Sequence, residues 1–398
     1  MNVLWLHSHL LYSNGGTRFI FETALRLRKK HKVTVVVEKA DEKWIAKFAE
    51  IGIKVETLSR YSSNSLIYWL LFPIFLIKEK RQLAKLISNQ DVVIASMFPL
   101  NYLASMFSKP VIYFCFEPFA FFYDKTLLAS LSFFKRTGCL LLSKVYQSFD
   151  KKGVAYSSRV MTINQSVADW IKKIYGCKPD KITYLGVDTD FFRRRDIPKP
   201  KKWKTNLLLL HCTDYTPLKG TEYLLHALLI IKKKYPQVKL IISETVTDKR
   251  VRARYLEQAK NLSIAENVEF LGNLPYQNLP DYYSFSDIVC FAADPETIGT
   301  TASLTVLEAM ACETPVVRSI GCNEEVIHGK SGFLADPKKP DEYAKMIIRL
   351  LENKSRRLQM GREGRNEVLK NYRWDKVADA FLDELDFIDN QMSRKKGK

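Results

Sequence analysis

Twice along this chain, short β-branched or leucine-rich runs alternate with helical patterns, and that alternation restricts the possible folds more than any single motif does. In the first pass, strands are expected at 3–6, 33–38, 53–57, 91–95, 111–115, 159–163 and 181–184. Helices are expected at 17–30, 41–51, 66–88, 99–107, 124–151 and 164–175. The second pass places strands at 206–211, 238–243, 268–271, 287–291, 315–318 and 333–335. Its helices are expected at 219–235, 249–263, 278–285, 303–312, 323–328 and 340–352. A βαβα order of this kind predicts a parallel, doubly wound α/β sheet. With 398 residues there is enough chain for two such cores. Ligands of open α/β sheets sit beyond the carboxyl ends of the strands, so two facing sheets are expected to hold a ligand in an interdomain cleft.

Domain limits follow from breaks in the pattern. Phe191 to Lys204 reads FFRRRDIPKPKKWK, with prolines and charges but no periodicity, and reads as an exposed linker. The division is therefore 1–190, a linker at 191–204, a second domain at 205–371, and 372–398. The last segment reads as one long helix from Tyr372 to Asn390 with a basic tail, expected to pack back on the first domain.

Charge narrows the partners. Lys and Arg number 62 against 43 Asp and Glu, a formal net charge of +19. Such a field favours nucleic acid, an anionic membrane surface or phosphorylated ligands. No paired Cys/His spacing or aromatic RNP stretch is present, so nucleic acid is not an expected partner. Seven scattered cysteines without a Cys-x-x-Cys pair, and a first strand at Val3-Leu4-Trp5-Leu6 with no apolar leader, suit a reduced cytoplasmic protein. The longest apolar run, Leu66 to Ile77, is shorter than the ~20 residues of a spanning helix and is interrupted by Pro73. Lys78, Lys80, Arg81 and Lys85 follow it, and a second greasy region, Phe114 to Phe134, ends in Lys135-Arg136. An apolar face flanked by cations lies on an anionic membrane, or it is a core helix with a solvated end. Peripheral membrane association is the expectation carried forward.

Three stretches carry candidate chemistry. Ser13-Asn14-Gly15-Gly16 precedes the first helix, where two glycines let the backbone approach a ligand at a helix N-terminus, or simply turn the chain. Leu207 to Pro236 runs from a strand into a polar loop, and Lys219-Gly220 opens a helix. Lys219 can set its ammonium on a diphosphate while Gly220 and Thr221 expose amides; the plain alternative is a turn lysine in solvent. Thr300 to Pro337 gives a loop of small and hydroxyl side chains, a helix, a short buried strand and a polar loop closed by Ser331-Gly332. Glu308 is a carboxylate in the first turns of that otherwise apolar helix, suited to an anionic, hydroxyl-rich ligand or merely charging a helix start. His7 and His9 follow the first strand and either line the cleft or serve the core. Asp188 reads as a turn or cap residue.

Set in order, these segments resemble the retaining glycosyltransferases of family 4, also called group 1. Tyr184 to Phe191 resembles the family's Gly-Val-Asp hinge signature, and Pro217-Leu218-Lys219-Gly220 with Tyr223-Leu224-Leu225 its second-domain opening. Phe270-Leu271-Gly272, Leu279 to Tyr283 and Ser286-Asp287 resemble its nucleotide-base region. Leu307 to Ala311, Pro315-Val316-Val317, Glu324 to Ile327 and Gly329 to Leu334 complete the series. The resemblance implies a GT-B fold, in which two Rossmann-like domains face a central cleft. It implies sugar transfer from a nucleotide-sugar donor to a glycan or lipid-linked acceptor at the cytoplasmic membrane face, with no cofactor and no metal. The first domain would serve the acceptor and the second the nucleotide-sugar.

Residue by residue, Lys219 would neutralise the leaving nucleoside diphosphate, and Glu308 would accept hydrogen bonds from the ribose hydroxyls. Thr300, Thr301, Ala302, Ser303 and Leu304 would run along the donor sugar and phosphates. Gly15 and Gly16 would close on the same phosphates, and Asp214, Gly220 and Gly272 fall at donor-binding positions. Glu117, in Phe116-Glu117-Pro118, matches a catalytic segment that often reads His-Glu-Pro. Four positions depart from the pattern: Thr300 replaces a carboxylate, Asp214 an arginine, Phe116 the histidine and Glu313 a glycine. Losing the arginine removes a charge-assisted contact of ~1.5–3 kcal/mol, which Arg318 or the Gly15-Gly16 amides would have to replace. Two rivals therefore stand beside the transferase: a GT-B phosphorylase or synthase, and a noncatalytic sugar-nucleotide-binding protein or partner subunit.

Overall fold

The computed structural model describes residues 1–11, 14–58, 66–214, 217–244, 248–294, 296–298, 303–321 and 324–396. By contacts the chain divides into two units, Met1–Tyr184 together with Trp374–Lys398, and Leu185–Arg373.

In the first unit the strands are β1 (Asn2–Leu10), β2 (Lys32–Ala40), β3 (Lys54–Thr57), β4 (Val92–Ala95), β5 (Val111–Cys115), β6 (Arg159–Thr162) and β7 (Lys181–Ile182). They form a parallel sheet in the order β3-β2-β1-β4-β5-β6-β7. In the second, β8 (Leu208–Thr213), β9 (Lys239–Glu244), β10 (Val268–Gly272), β11 (Ile288–Phe291), β12 (Val316–Ser319) and β13 (Gly332–Ala335) form a parallel sheet in the order β10-β9-β8-β11-β12-β13. Both orders start in the middle and reverse direction, the doubly wound arrangement read from the alternation. Strands buried on both faces are written as unbroken apolar runs, and Val3 to Leu6 are fully buried.

The helices of the first unit are α1 (Gly15–Leu27), α2 (Glu42–Glu50), α3 (Leu66–Leu70), α4 (Phe72–Ile87), α5 (Leu100–Ala104), α6 (Ala120–Tyr123), α7 (Lys125–Ser130), α8 (Phe133–Ala155) and α9 (Gln165–Tyr175). The second unit holds α10 (Thr221–Lys234), α11 (Lys249–Asn261), α12 (Leu279–Phe285), α13 (Leu304–Ala311), α14 (Pro340–Leu351) and α15 (Lys354–Asn371). The chain then returns to the first unit as α16 (Trp374–Lys396). Phe381 of α16 packs 5.2 Å from Trp5 and 5.1 Å from Phe114, and Glu384 and Asp375 pair with Arg159 and Arg26.

Several elements differ from the sequence reading. The helix expected at 66–88 breaks at Leu71, because Pro73 enters at the first turn of α4. The helix expected at 124–151 is two, α7 and α8, separated by Leu131 and Ser132 in extended conformation. Residues 324–328 are turn and extended chain rather than helix. Residues 191–204 are not a free linker: Phe192 and Trp203 are buried in the second unit, and Arg195, Lys199 and Lys202 pair with Asp281, Asp287 and Glu269. Missing from the reading altogether was α15, whose buried face is Met360, Gly361, Gly364 and Val368. Half of that face is glycine, so no apolar stripe betrays it; a Cβ on Gly361 would stand 1.9 Å from the Glu313 carbonyl oxygen.

One polar network anchors α8. The buried Asp150 carboxylate accepts from Asn101 Nδ2, Tyr123 Oη and Tyr175 Oη, each at 2.9 Å. One turn on, Gly153 packs so closely on α5 that a Cβ would meet the Tyr102 nitrogen at 2.7 Å. These contacts hold the carboxyl half of α8; its amino half is free of them.

Candidate active site

The carboxyl end of β8 divides its side chains by the period of the strand. His211 points to the α10 side and is fully buried. Its Nδ1 donates to the Cys290 carbonyl oxygen at 3.1 Å, which leaves Nε2 to accept from the Thr221 hydroxyl at 3.0 Å. Burial, with Lys219 nearby, lowers its pKa to about 4, so it is a neutral tie between β8, β11 and α10. The next residue, Cys212, points the other way, among Glu308, Tyr283, Ser243 and Thr305; burial first, then the Glu308 charge, pushes its thiol up to about 12.

On the α10 side, the chain leaves β8 at Asp214 and makes a 3₁₀ turn over Pro217–Lys219. Gly220 follows as the N-cap of α10, at φ +69°. A Cβ there would fall 1.7 Å from the Ala292 carbonyl oxygen, so only glycine fits. The same loops are tied by the Asp294 amide, which donates to the Leu218 carbonyl oxygen at 2.9 Å. Lys219 Nζ stands 3.7 Å from Asp214 Oδ2 and 5.9 Å from the centre of the Phe291 ring. Phe291 pairs in register with Arg318 on β12, whose buried guanidinium lies 5.3 Å from that ring and pairs with Glu325. Lys219, Phe291 and Arg318 thus occupy the ends of three neighbouring strands.

On the other side, Ser303 caps α13, its hydroxyl accepting from the Val306 amide at 3.4 Å, and Leu304 is the first helical residue. Glu308 is the fifth residue, past the first turn, and buried, so it is not a charge placed on a helix start. Tyr283 Oη donates to Glu308 Oε2 at 2.9 Å, and burial together with this carboxylate holds the phenol well above its usual range. Lys219 and Glu308 therefore straddle the end of β8. Gly272 ends β10, two strands away, at φ +75° with open space where a Cβ would be. Thr300, Thr301 and Ala302 lie outside the described residues.

In the first unit, Gly15 and Gly16 are not a loop but the first turn of α1, capped by Asn14 Oδ1 accepting from the Thr17 amide at 3.0 Å. A Cβ on Gly16 would meet only Asn14 Oδ1, at an ordinary 3.7 Å, so the packing itself does not demand glycine there. His7 and His9 lie on β1 rather than after it, because that strand runs on to Leu10. Both are lowered in pKa by burial, His7 to about 3, and His7 Nδ1 has no hydrogen-bond partner among the described residues. The His7 ring stands 5.8 Å from Phe116, which also packs on Phe19 and Phe114 at 5.1 and 4.7 Å. Phe116 thus extends the aromatic core to the strand end, and Glu117 follows it half-buried.

Sequence reasoning named Lys219, Glu308 and Arg318 but gave no part to His211, Tyr283 or Phe291. Histidine and phenylalanine in a buried strand carry no signal of their own; Tyr283 lay inside a motif already quoted. Among the described residues, no group of three or more His, Cys, Asp or Glu is placed to hold a metal ion.

Two doubly wound parallel units, with cations, a buried carboxylate and one glycine-tight helix start at the strand ends of the second, define a GT-B-type architecture. The glycosyltransferase family 4 model matches residues 13–191 and the glycosyl transferases group 1 model matches 192–367, and the chain belongs to this group of GT-B glycosyltransferases. It is 28% identical over 214 residues to a GDP-mannose-dependent alpha-(1-6)-phosphatidylinositol monomannoside mannosyltransferase of Mycobacterium tuberculosis, covering 50% of this chain and 54% of that one. It is 26% identical over 255 residues to an N-acetyl-alpha-D-glucosaminyl L-malate synthase of Bacillus anthracis, covering 62% and 63%. The chain thus spans about half to three fifths of the length of these relatives. The crystal structure of Anabaena HepE in complex with UDP superposes with a TM-score of 0.73 at 19% identity, over 97% of this chain and 100% of that one, and shares the fold.

Proposed function

We propose that the chain is a retaining glycosyltransferase that moves a sugar from a nucleotide-sugar to a glycan or lipid-linked acceptor at the cytoplasmic membrane face. The observation that carries this reading is the pair Lys219 and Glu308 astride the end of β8, each on a loop or helix fixed by buried contacts. Lys219 meets the charge that develops on the departing diphosphate, without need of a metal. Glu308, held by Tyr283 from within the core, accepts the vicinal hydroxyls of the ribose. Ser303 and Leu304 offer amides at the start of α13; Gly220 sets the backbone of the turn that carries Lys219, Gly272 leaves backbone open to the donor, and Asp214 tunes Lys219. Gly15 and Gly16 are donor-contacting positions at the start of α1, where the fold leaves room above the helix, and Glu117 is the catalytic carboxylate of the first unit. One relative is named as GDP-mannose-dependent, another as a glucosaminyl malate synthase, and HepE was solved with UDP, and these names support a nucleotide-linked sugar donor.

A second reading has its own observation. Each cation at the strand ends has an acidic neighbour, Asp214 for Lys219 and Glu325 for Arg318, as suits a noncatalytic sugar-nucleotide binder or partner subunit. Transfer of radiolabelled sugar from a nucleotide-sugar panel to membrane lipids and glycans separates the two. The transferase reading expects product with EDTA present, reduced about 10²-fold or more by Lys219→Ala. Unchanged cellular glycan output in Lys219→Ala and Glu308→Ala strains supports the binder, and turnover with inorganic phosphate alone supports a phosphorylase.

A further inference from the structure

We propose that α3, the amino half of α4 and the amino half of α8 form a membrane-insertion face that docks the first unit on anionic lipid. The inference deepens the membrane-face part of the function proposed above and rests on it for the purpose of docking, but it uses none of the residues assigned to the donor site. Phe133 and Phe134 open α8 with 75% and 85% of their surfaces exposed. Leu141 at 60% and Val145 at 57% continue the Phe134 side of the helix at seven and eleven residues on, the spacing of one helical stripe. No residue of α8 before Ser143 is fully buried, and of the residues from Phe133 to Leu142 only Leu142 packs against the aromatic core. On α3 and α4, Leu70, Ile74 and Ile77 are exposed at 71%, 63% and 57%. The two stretches meet in one ring cluster: Tyr146 of α8 packs 5.7 Å from Trp69 and 4.9 Å from Phe72. The exposed apolar residues are therefore flanks of one packed layer and not scattered accidents.

Charge selects the occupant. Residues 125–149 hold Lys125, Lys135, Arg136 and Lys144 and no carboxylate. Residues 66–88 hold Lys78, Lys80, Arg81 and Lys85, and their one acid, Glu79, is buried. A greasy face rimmed only by cations complements a bilayer carrying anionic headgroups. Among the described residues no helix is long and apolar enough to cross a membrane, so the fit is to the interface, with the apolar side chains sunk ~5–10 Å. The Asp150 network anchors α8 from its other end and gives the projecting half a rigid base.

The test is flotation of the full chain with phosphatidylcholine vesicles, with and without added phosphatidylglycerol, alongside Phe133→Glu/Phe134→Glu, Leu141→Glu/Val145→Glu and Lys135→Ser/Arg136→Ser. All these positions are exposed, and thermal unfolding checks that each variant folds. The proposal expects binding only to the anionic vesicles, a loss of at least about tenfold in each glutamate pair, and about fivefold per cation removed. Glutamate variants that float like the wild type overturn it. So does a wild type that ignores vesicles but forms a dimer that the same variants break, which would give the face to a second copy. The shift of the unfolding temperature by UDP is measured in parallel: its absence in every form counts against the donor site and leaves the docking face standing.

Discussion

The ends of β8 and β1 occupy the same topological place in their two sheets and are built in opposite ways. At β8, both His211 nitrogens are bonded, Glu308 is held by Tyr283, and Gly220 admits no side chain. At β1, His7 is also buried but its Nδ1 has no partner among the described residues, and Gly16, in the first turn of α1, has space for a Cβ. The first arrangement is satisfied before any ligand arrives; the second leaves a polar atom and a helix start for something outside the unit's own packing to use. Preorganisation of this kind belongs where one ligand is always the same, as a nucleoside diphosphate is.

Acid exposes both ends at once and carries the largest expected effect. His211 and His7 have folded pKa values of about 4 and about 3, below the usual 6.5. Above pH 6.5 both are neutral folded or unfolded, and stability is unaffected. As pH falls below 6.5 the unfolded chain takes protons that the folded chain refuses, so stability drops by up to about 1.4 kcal/mol per pH unit for each histidine. Denaturant unfolding from pH 7 to pH 4.5 measures the slope; a flat profile would show that neither imidazole is held neutral.

Next come the histidines taken singly. His211→Leu takes the imidazole donor from the Cys290 carbonyl and leaves the Thr221 hydroxyl only its bond to Thr213, at a cost of about 2–3 kcal/mol. His7→Leu removes a nitrogen with no partner among the described residues, and its effect is expected within about 1 kcal/mol. Equal losses at the two positions would erase the contrast. Tyr283→Phe is smaller, about 1–1.5 kcal/mol of stability, with weaker nucleotide binding in isothermal titration because Glu308 loses its tether. Glu313→Gly is the smallest and opposite in sign. Glu313 stands at φ +58°, where an L side chain is strained, and the glycine should raise stability by about 1 kcal/mol.

That last residue shows what the sequence could and could not disclose. The resemblance marked position 313 as one where glycine is expected, and the left-handed backbone is the physical reason. The strands were legible because burial on both faces writes them as continuous apolar runs. Helix α15 was not, since half of its contact face is glycine, which lets it approach Glu313 and Met310. Residues 191–204 misled for a related reason: their charges look solvated in sequence, yet three of them find carboxylates and two aromatic neighbours are buried. In the site, Lys219 and Glu308 were legible as types at known spacings. Their arrangement on opposite sides of β8 was not, because it depends on Cys212 and His211 facing apart, which only the fold decides.

The most direct test of the central account is a thermal-shift panel of UDP- and GDP-sugars on the wild type, Lys219→Ala and Glu308→Gln. The account predicts that at least one nucleotide-sugar raises the unfolding temperature of the wild type and that both substitutions abolish most of that shift while leaving the unliganded temperature nearly unchanged. A full shift retained in Lys219→Ala and Glu308→Gln would contradict it.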